Sequence, residues 1–247
     1  MRILILNPNT TEAVTSLMLD AGRAVASPGV EVEAITAPRG FPYIASRAEA
    51  QIGGAIALEM LAETKAFDAA ILAAFGDPGL LGARELFDFP VIGVSEAAML
   101  TACMLGGQFL IVTFASALCG WYRDCVATHR LESRCAGVVA LDHSFGSLED
   151  ARETNWPALI ELANEAIAER DADVAILAGA PLAGLATRAR DLIRVPVIDP
   201  VAAAVKQAEA LVALRTTKAS LGSFRRPAPK PSIGLSRKLS ACWEAAP

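Results

Sequence analysis

Apolar residues in this chain gather in short, unbroken blocks rather than alternating with polar ones. Ile3 to Leu6, Val30 to Thr36, Asp68 to Ala74, Val91 to Val94, Phe109 to Phe114, Val138 to Leu141, Val174 to Leu177 and Val195 to Ile198 each have strand length. Such blocks suit strands covered on both faces by helices, as in parallel sheets. Between them, longer amphipathic or alanine-rich runs predict helices. These lie from the Thr10-Thr11 pair to Val25, Ser46 to Thr64, Leu80 to Phe87, Ala97 to Leu105, Trp156 to Arg170 and Asp199-Pro200 to Leu214, with a short last helix around Trp243. The segment from Ser223 to Pro231 is rich in proline and basic residues and is expected to run extended over the surface.

The blocks repeat. Asp68-Ala-Ala-Ile-Leu-Ala-Ala reads against Asp173-Val-Ala-Ile-Leu-Ala-Gly, about 105 residues further on. Within one residue, the same offset carries Phe89-Pro-Val-Ile-Gly onto Val195-Pro-Val-Ile-Asp, Ile3-Leu-Ile-Leu-Asn onto Phe109-Leu-Ile-Val-Thr, and Val32-Glu-Ala-Ile-Thr onto Val138-Val-Ala-Leu-Asp. The expected fold is therefore α/β, with two pseudo-symmetric lobes, each a small parallel sheet flanked by helices. Residues 1–97 with 205–247 form lobe 1 and residues 98–204 form lobe 2. Ligands bind beyond the carboxyl ends of parallel strands, so a site is expected where the strand ends of the two lobes face each other.

The loops at those ends supply the candidates. Ala74, Phe75, Gly76 and Asp77 follow the central strand of the first half, and Gly179, Ala180 and Pro181 follow its counterpart. Asn9 sits in Asn7-Pro8-Asn9-Thr10-Thr11, where Thr10 or Thr11 can cap a helix whose first amides seat a carboxylate or imide oxygen. Tyr43 stands in a stiff loop with two prolines that can wall a substrate. Ser95 is an expected N-cap with Glu96 favourable at the same helix terminus, and Thr113 ends its strand. His143, just past a strand end, is the general base best placed by position and intrinsic pKa. Asp77 is the other acid/base candidate, although its turn position better suits holding the loop through hydrogen bonds to the backbone. His129, among Arg123, Asp124 and Arg130, reads as a surface residue.

Composition narrows the function classes. A net charge of −5 and a pI near 5.2 argue against a nucleic-acid partner. Cys103, Cys119, Cys125, Cys135 and Cys242 form no CxxC pair and no zinc spacing, so neither a metal site nor a disulfide framework is expected, and the thiols read as small core residues of a cytoplasmic protein. No charge falls between Ala97 and Tyr122, but Gly106-Gly107-Gln108 divides that run into a helix and a strand, so no membrane association is expected.

NPNTT (7–11), AFGDPGL (74–80), PVIGVSEAA (90–98), AGAPLAGL (178–185) and PVIDPVAAAV (196–205) together resemble the aspartate/glutamate/hydantoin racemase superfamily, and most closely its hydantoin and allantoin racemase branch. The resemblance covers almost the whole chain. It implies two α/β lobes, a homo-oligomer, no cofactor, and one cysteine per lobe passing a proton across a small substrate that bears carbonyl or carboxylate groups. By the resemblance those cysteines fall at Ala74 and at Gly179 or its neighbour, and the internal repeat pairs Ala74 with Gly179. Neither is a thiol. The implied activity is isomerisation at an acidic carbon beside a carbonyl, in a cyclic ureide or an amino-acid-like compound. Decarboxylation or hydrolysis on the same scaffold, or ligand binding without turnover, remain alternatives. Alanine and glycine at the two positions are expected to leave open volume.

Overall fold

The computed structural model describes residues 1–64, 66–141 and 150–244. In the first half, β1 (Arg2–Asn7), α1 (Glu12–Val25), β2 (Glu31–Thr36), α2 (Arg47–Glu63), β3 (Ala69–Leu72), α3 (Leu80–Leu86), β4 (Val91–Gly93) and α4 (Val94–Cys103) alternate strand and helix. The second half repeats the alternation with β5 (Phe109–Thr113), α5 (Cys119–Thr128), β6 (Cys135–Ala140), α6 (Trp156–Arg170), β7 (Val174–Leu177), α7 (Ala186–Ala189), β8 (Val197–Ile198) and α8 (Pro200–Ala213). A last helix, α9 (Arg237–Glu244), closes the described chain.

The strands form two parallel four-stranded sheets with the same order, β2-β1-β3-β4 and β6-β5-β7-β8. Ile5 is registered between Ala34 and Ile71 in the first, Ile111 between Val138 and Ile176 in the second. The apolar blocks explain this topology, because β1, β3, β5 and β7 are central strands with both faces covered. Ile3, Ile5, Ile71, Ile111 and Ile176 are all fully buried. Each such side chain contributes about 1.5–3 kcal/mol relative to exposure, so a central strand is the costliest place to put a polar residue.

Among the described residues, three apolar clusters form the core. One lies between the first sheet and α1 and α8, a second under α2, α3 and Leu239 of α9, and a third around the second sheet. The third also takes in Ile44, Ala50, Phe75, Ala98 and Met99 from the first half. Although α8 leaves the second sheet, it packs on α1, α4 and the first sheet. No helix among the described residues is long and apolar enough to cross a membrane.

Several local expectations change. Ser95 is not an N-cap: β4 passes into α4 without a loop, Gly93 takes the cap position, and Ser95 is buried inside the first turn. The α4 amides are capped from outside, by Asp77. Thr11 is the N-cap of α1, yet its hydroxyl donates to the Pro42 carbonyl at 2.5 Å instead of capping. The strand expected from Val138 begins at Cys135, the register shifting opposite Phe109 and Leu110 to admit the extra residues. The strand expected from Val195 is reduced to Val197–Ile198, the last on its sheet edge. The expected helix from Ser46 is present as α2, and a capping box opens it. Ser46 Oγ accepts from Glu49 N, and the Glu49 carboxylate accepts from Ser46 N.

Candidate functional site

The loops after β3 and β7 meet at a small cavity of about 90 Å³. Ala74 and Phe75 form its wall from one side, Gly179, Ala180 and Pro181 from the other; Asn9, Tyr43, Phe114, Trp121 and Tyr122 complete much of the rest. Positions 74 and 179, where a thiol pair is implied, thus look into one space.

Among the described residues, the N–H groups of Ala74, Phe75, Gly179 and Ala180 have no acceptor in the protein. Buried amides are almost always paired, so two unpaired amides on each side of one cavity are donors that the described residues leave unsatisfied. Asn9 adds a further donor. Its Oδ1 accepts from Asn7 Nδ2 and from Thr11 N, both at 3.0 Å, which fixes the amide plane and leaves Nδ2 without a partner among the described residues.

Two side-chain devices hold the strand-end loops. Asp77, in a left-handed conformation with φ +49, accepts from Ser95 N and Glu96 N, each at 2.9 Å. Ser95 Oγ in turn accepts from Gly76 N at 2.5 Å. On the other side, Asp199 caps its own helix through Val201 N and Ala202 N and also accepts from Gly184 N, in the loop after β7. Both loops are therefore locked to a helix N-terminus, with an aspartate from the loop in one half and from the helix in the other. Burial pushes the Asp199 carboxyl above its usual range, against those amide hydrogen bonds.

Beside Asp77 lies a charge cluster that the sequence reading missed. His129, expected at the surface, has a side chain only 8% exposed, with Nε2 3.4 Å from Asp77 Oδ2 and Nδ1 3.4 Å from Glu96 Oε1. Burial disfavours its charged form, but hydrogen bonds with Asp77, Cys125 and Glu96 overcome this and raise its pKa to about 11. Burial likewise opposes ionisation of Glu96, whose bonds from His129 and from Arg84 bring it down to about 2. Cys125, expected as a small core residue, is 5% exposed and belongs to the cluster; burial pushes its thiol up. Ligand atoms of Asp77, Cys125 and His129 lie within 4.8 Å of one another. With His129 charged, its contacts to Asp77 and Glu96 are those of a buried ion-pair network. A signal was present: Trp121, Cys125 and His129 recur every four residues on the buried face of α5.

Of the other sequence candidates, Gly76 and Asp77 border an outer cleft next to the cavity rather than the cavity itself. Ser95 and Glu96 stand behind the Asp77 loop. Thr113 is fully buried and absent from the cavity wall. Its Oγ1 makes no hydrogen bond of good geometry among the described residues, though it lies close enough to lower the Tyr122 phenol pKa against the larger upward effect of burial. His143 lies outside the described residues. The expected open volume is corrected at one position: a Cβ on Gly179 would lie 2.6 Å from Phe114 Cε1, and Gly179 has φ +118. Phe114 has filled the room that a side chain at 179 would use.

The sequence model of the Asp/Glu/Hydantoin racemase family matches residues 3–208. The chain belongs to this family. Among its relatives, a hydantoin racemase of Paenarthrobacter aurescens is 31% identical over 233 residues, covering 93% of this chain and 99% of that protein. The structure of an allantoin racemase from Klebsiella pneumoniae superposes with a TM-score of 0.90 at 36% identity, covering 97% of this chain and 98% of that one. An allantoin racemase from Pseudomonas fluorescens gives 0.90 at 34% identity, over 95% of this chain and all of that one. Within the family, then, this racemase homologue carries alanine and glycine at the positions where the resemblance implies thiols. The titratable side chains on its cavity wall, among the described residues, are the phenols Tyr43 and Tyr122.

Proposed function

We propose that this chain is a cofactor-independent isomerase of the racemase type, acting at the acidic carbon next to a carbonyl in a small cyclic ureide or amino-acid-like compound. The observation that carries the reading is the set of unpaired amides at Ala74, Phe75, Gly179 and Ala180 around one cavity. When a proton leaves a carbon beside a carbonyl, charge develops on oxygen, and preorganised N–H donors in a water-poor site stabilise it. Donors from both lobes also hold the ring so that both faces of the carbon can be reached. Methyl and hydrogen at 74 and 179 take no part in proton transfer, so a base other than a thiol is required, and His143 is the residue we assign to it.

The test follows an enantiopure hydantoin and allantoin in D2O by polarimetry and proton NMR, against an enzyme-free control. Loss of rotation with deuterium entering the reacting carbon, abolished in His143→Ala, is the expected outcome. Disappearance of the substrate without its mirror image would replace isomerase with lyase or hydrolase. One observation favours a second reading, ligand binding without turnover: no described side chain on the cavity wall is a proton acceptor at neutral pH. Saturable binding with neither exchange nor loss of rotation would establish it.

A further inference from the structure

Two spaces meet at Trp121. The inner cavity measures about 90 Å³, and the outer cleft, between α2 and α5, about 620 Å³. The Trp121 indole lines both and is their shared wall. It is seated tightly, since a Cβ on Gly76 would lie 2.2 Å from its Cζ2, and Gly76 has φ +111. Loop and ring thus pack as one unit, possible only with glycine at 76. An apolar cavity of roughly 150 Å³ takes up a benzene ring, so the inner space is close-fitting for a five-membered ring, and a large group attached to it on the Trp121 side would meet the indole.

Resting on the function proposed above, we infer that Trp121 determines substrate specificity by limiting the substituent on the reacting carbon, and that a smaller residue there joins the cavity to the outer cleft. The wall of that cleft is mixed. Gln51, Thr128 and the Arg47–Asp124 ion pair stand beside Leu58 and Leu81. Extended chains ending in a hydrogen-bonding group therefore gain most from the opening, compact aryl groups less.

The experiment measures, by calorimetry, the binding of 5-methylhydantoin, 5-(2-carbamoylethyl)hydantoin and 5-benzylhydantoin to the wild-type protein, Trp121→Phe and Trp121→Leu, with circular dichroism as the check on folding. The wild-type protein is expected to favour the methyl compound over the carbamoylethyl compound by about tenfold or more, and Trp121→Leu to reverse that order while its affinity for the methyl compound stays within about threefold. Trp121→Phe falls between, and carries the test alone if the leucine variant does not fold. Equal binding of short and long substituents by the wild-type protein, or an equal shift of both in the variants, overturns the role of Trp121 and leaves the proposed function standing. If no hydantoin binds the wild-type protein or either variant, the ureide reading falls and this inference with it.

Discussion

Replacing His129 with glutamine tests whether an imidazolium holds the two halves together. In the folded chain its pKa is about 11 against an ordinary 6.5, and that difference corresponds to about 6 kcal/mol at 1.36 kcal/mol per unit. One positive charge faces two carboxylates, one at each ring nitrogen, and solvent at the cleft side screens the interaction to about 3 kcal/mol. A raised folded pKa means that the stabilisation is fully present below pH 6.5 and is lost as pH climbs towards 11. Urea unfolding of wild type and His129→Gln at about pH 6, 8 and 9.5 isolates the contribution of the cluster, because titrations remote from His129 are common to both proteins. The gap should shrink by about 2 kcal/mol from the lowest to the highest pH. With only two histidines in the chain, NMR of the ring carbons supplies a second readout, and the His129 signal should titrate with a midpoint above about pH 8. A gap that stays flat with pH, or a ring that titrates near neutrality, would refute the ion-pair account.

Asn9→Asp keeps the acceptor that orders the Asn7–Thr11 turn but removes the one free donor and adds charge; ligand affinity should fall by about 1.5–3 kcal/mol in calorimetry, with little change in melting temperature. Gly179→Ala should cost about 2 kcal/mol or more in denaturant unfolding, from left-handed strain together with the Phe114 contact, and trimming Phe114 to Leu alongside it should recover part of that loss. Asp199→Ala removes the α8 cap and the Gly184 bond, a loss of about 2 kcal/mol by the same assay; no loss would mean that the loop after β7 holds itself.

Much of the fold was legible because continuous apolar blocks leave few alternatives. The strand Val174–Leu177 and the helix opening at Ser46 were readable from the residues alone. Positions 74 and 179 could be paired by the repeat before any coordinates, since one register governs both sheets. What escaped depends on side chains reaching across elements. The role of Ser95 depends on where Asp77 points, and a single sequence does not state that the β3 loop overlies the start of α4. His129 was hidden by its neighbours, because Arg123, Asp124 and Thr128 face solvent while the Trp121–Cys125–His129 face does not. The filled space at 179 was unreadable for the same reason. Phe114 lies 65 residues earlier in the chain, and only packing brings its ring against Gly179.

The path of α8 has a consequence for how this protein melts. The helix is continuous with the last strand of one sheet yet fills the core of the other, and Phe75, Ala98 and Met99 return the exchange by entering the core around the opposite sheet. Neither half can lose structure without uncovering apolar surface in its neighbour. Calorimetry should therefore show one cooperative endotherm instead of two, and a chain severed between residues 105 and 108 should yield fragments that are insoluble apart and recover structure only when mixed.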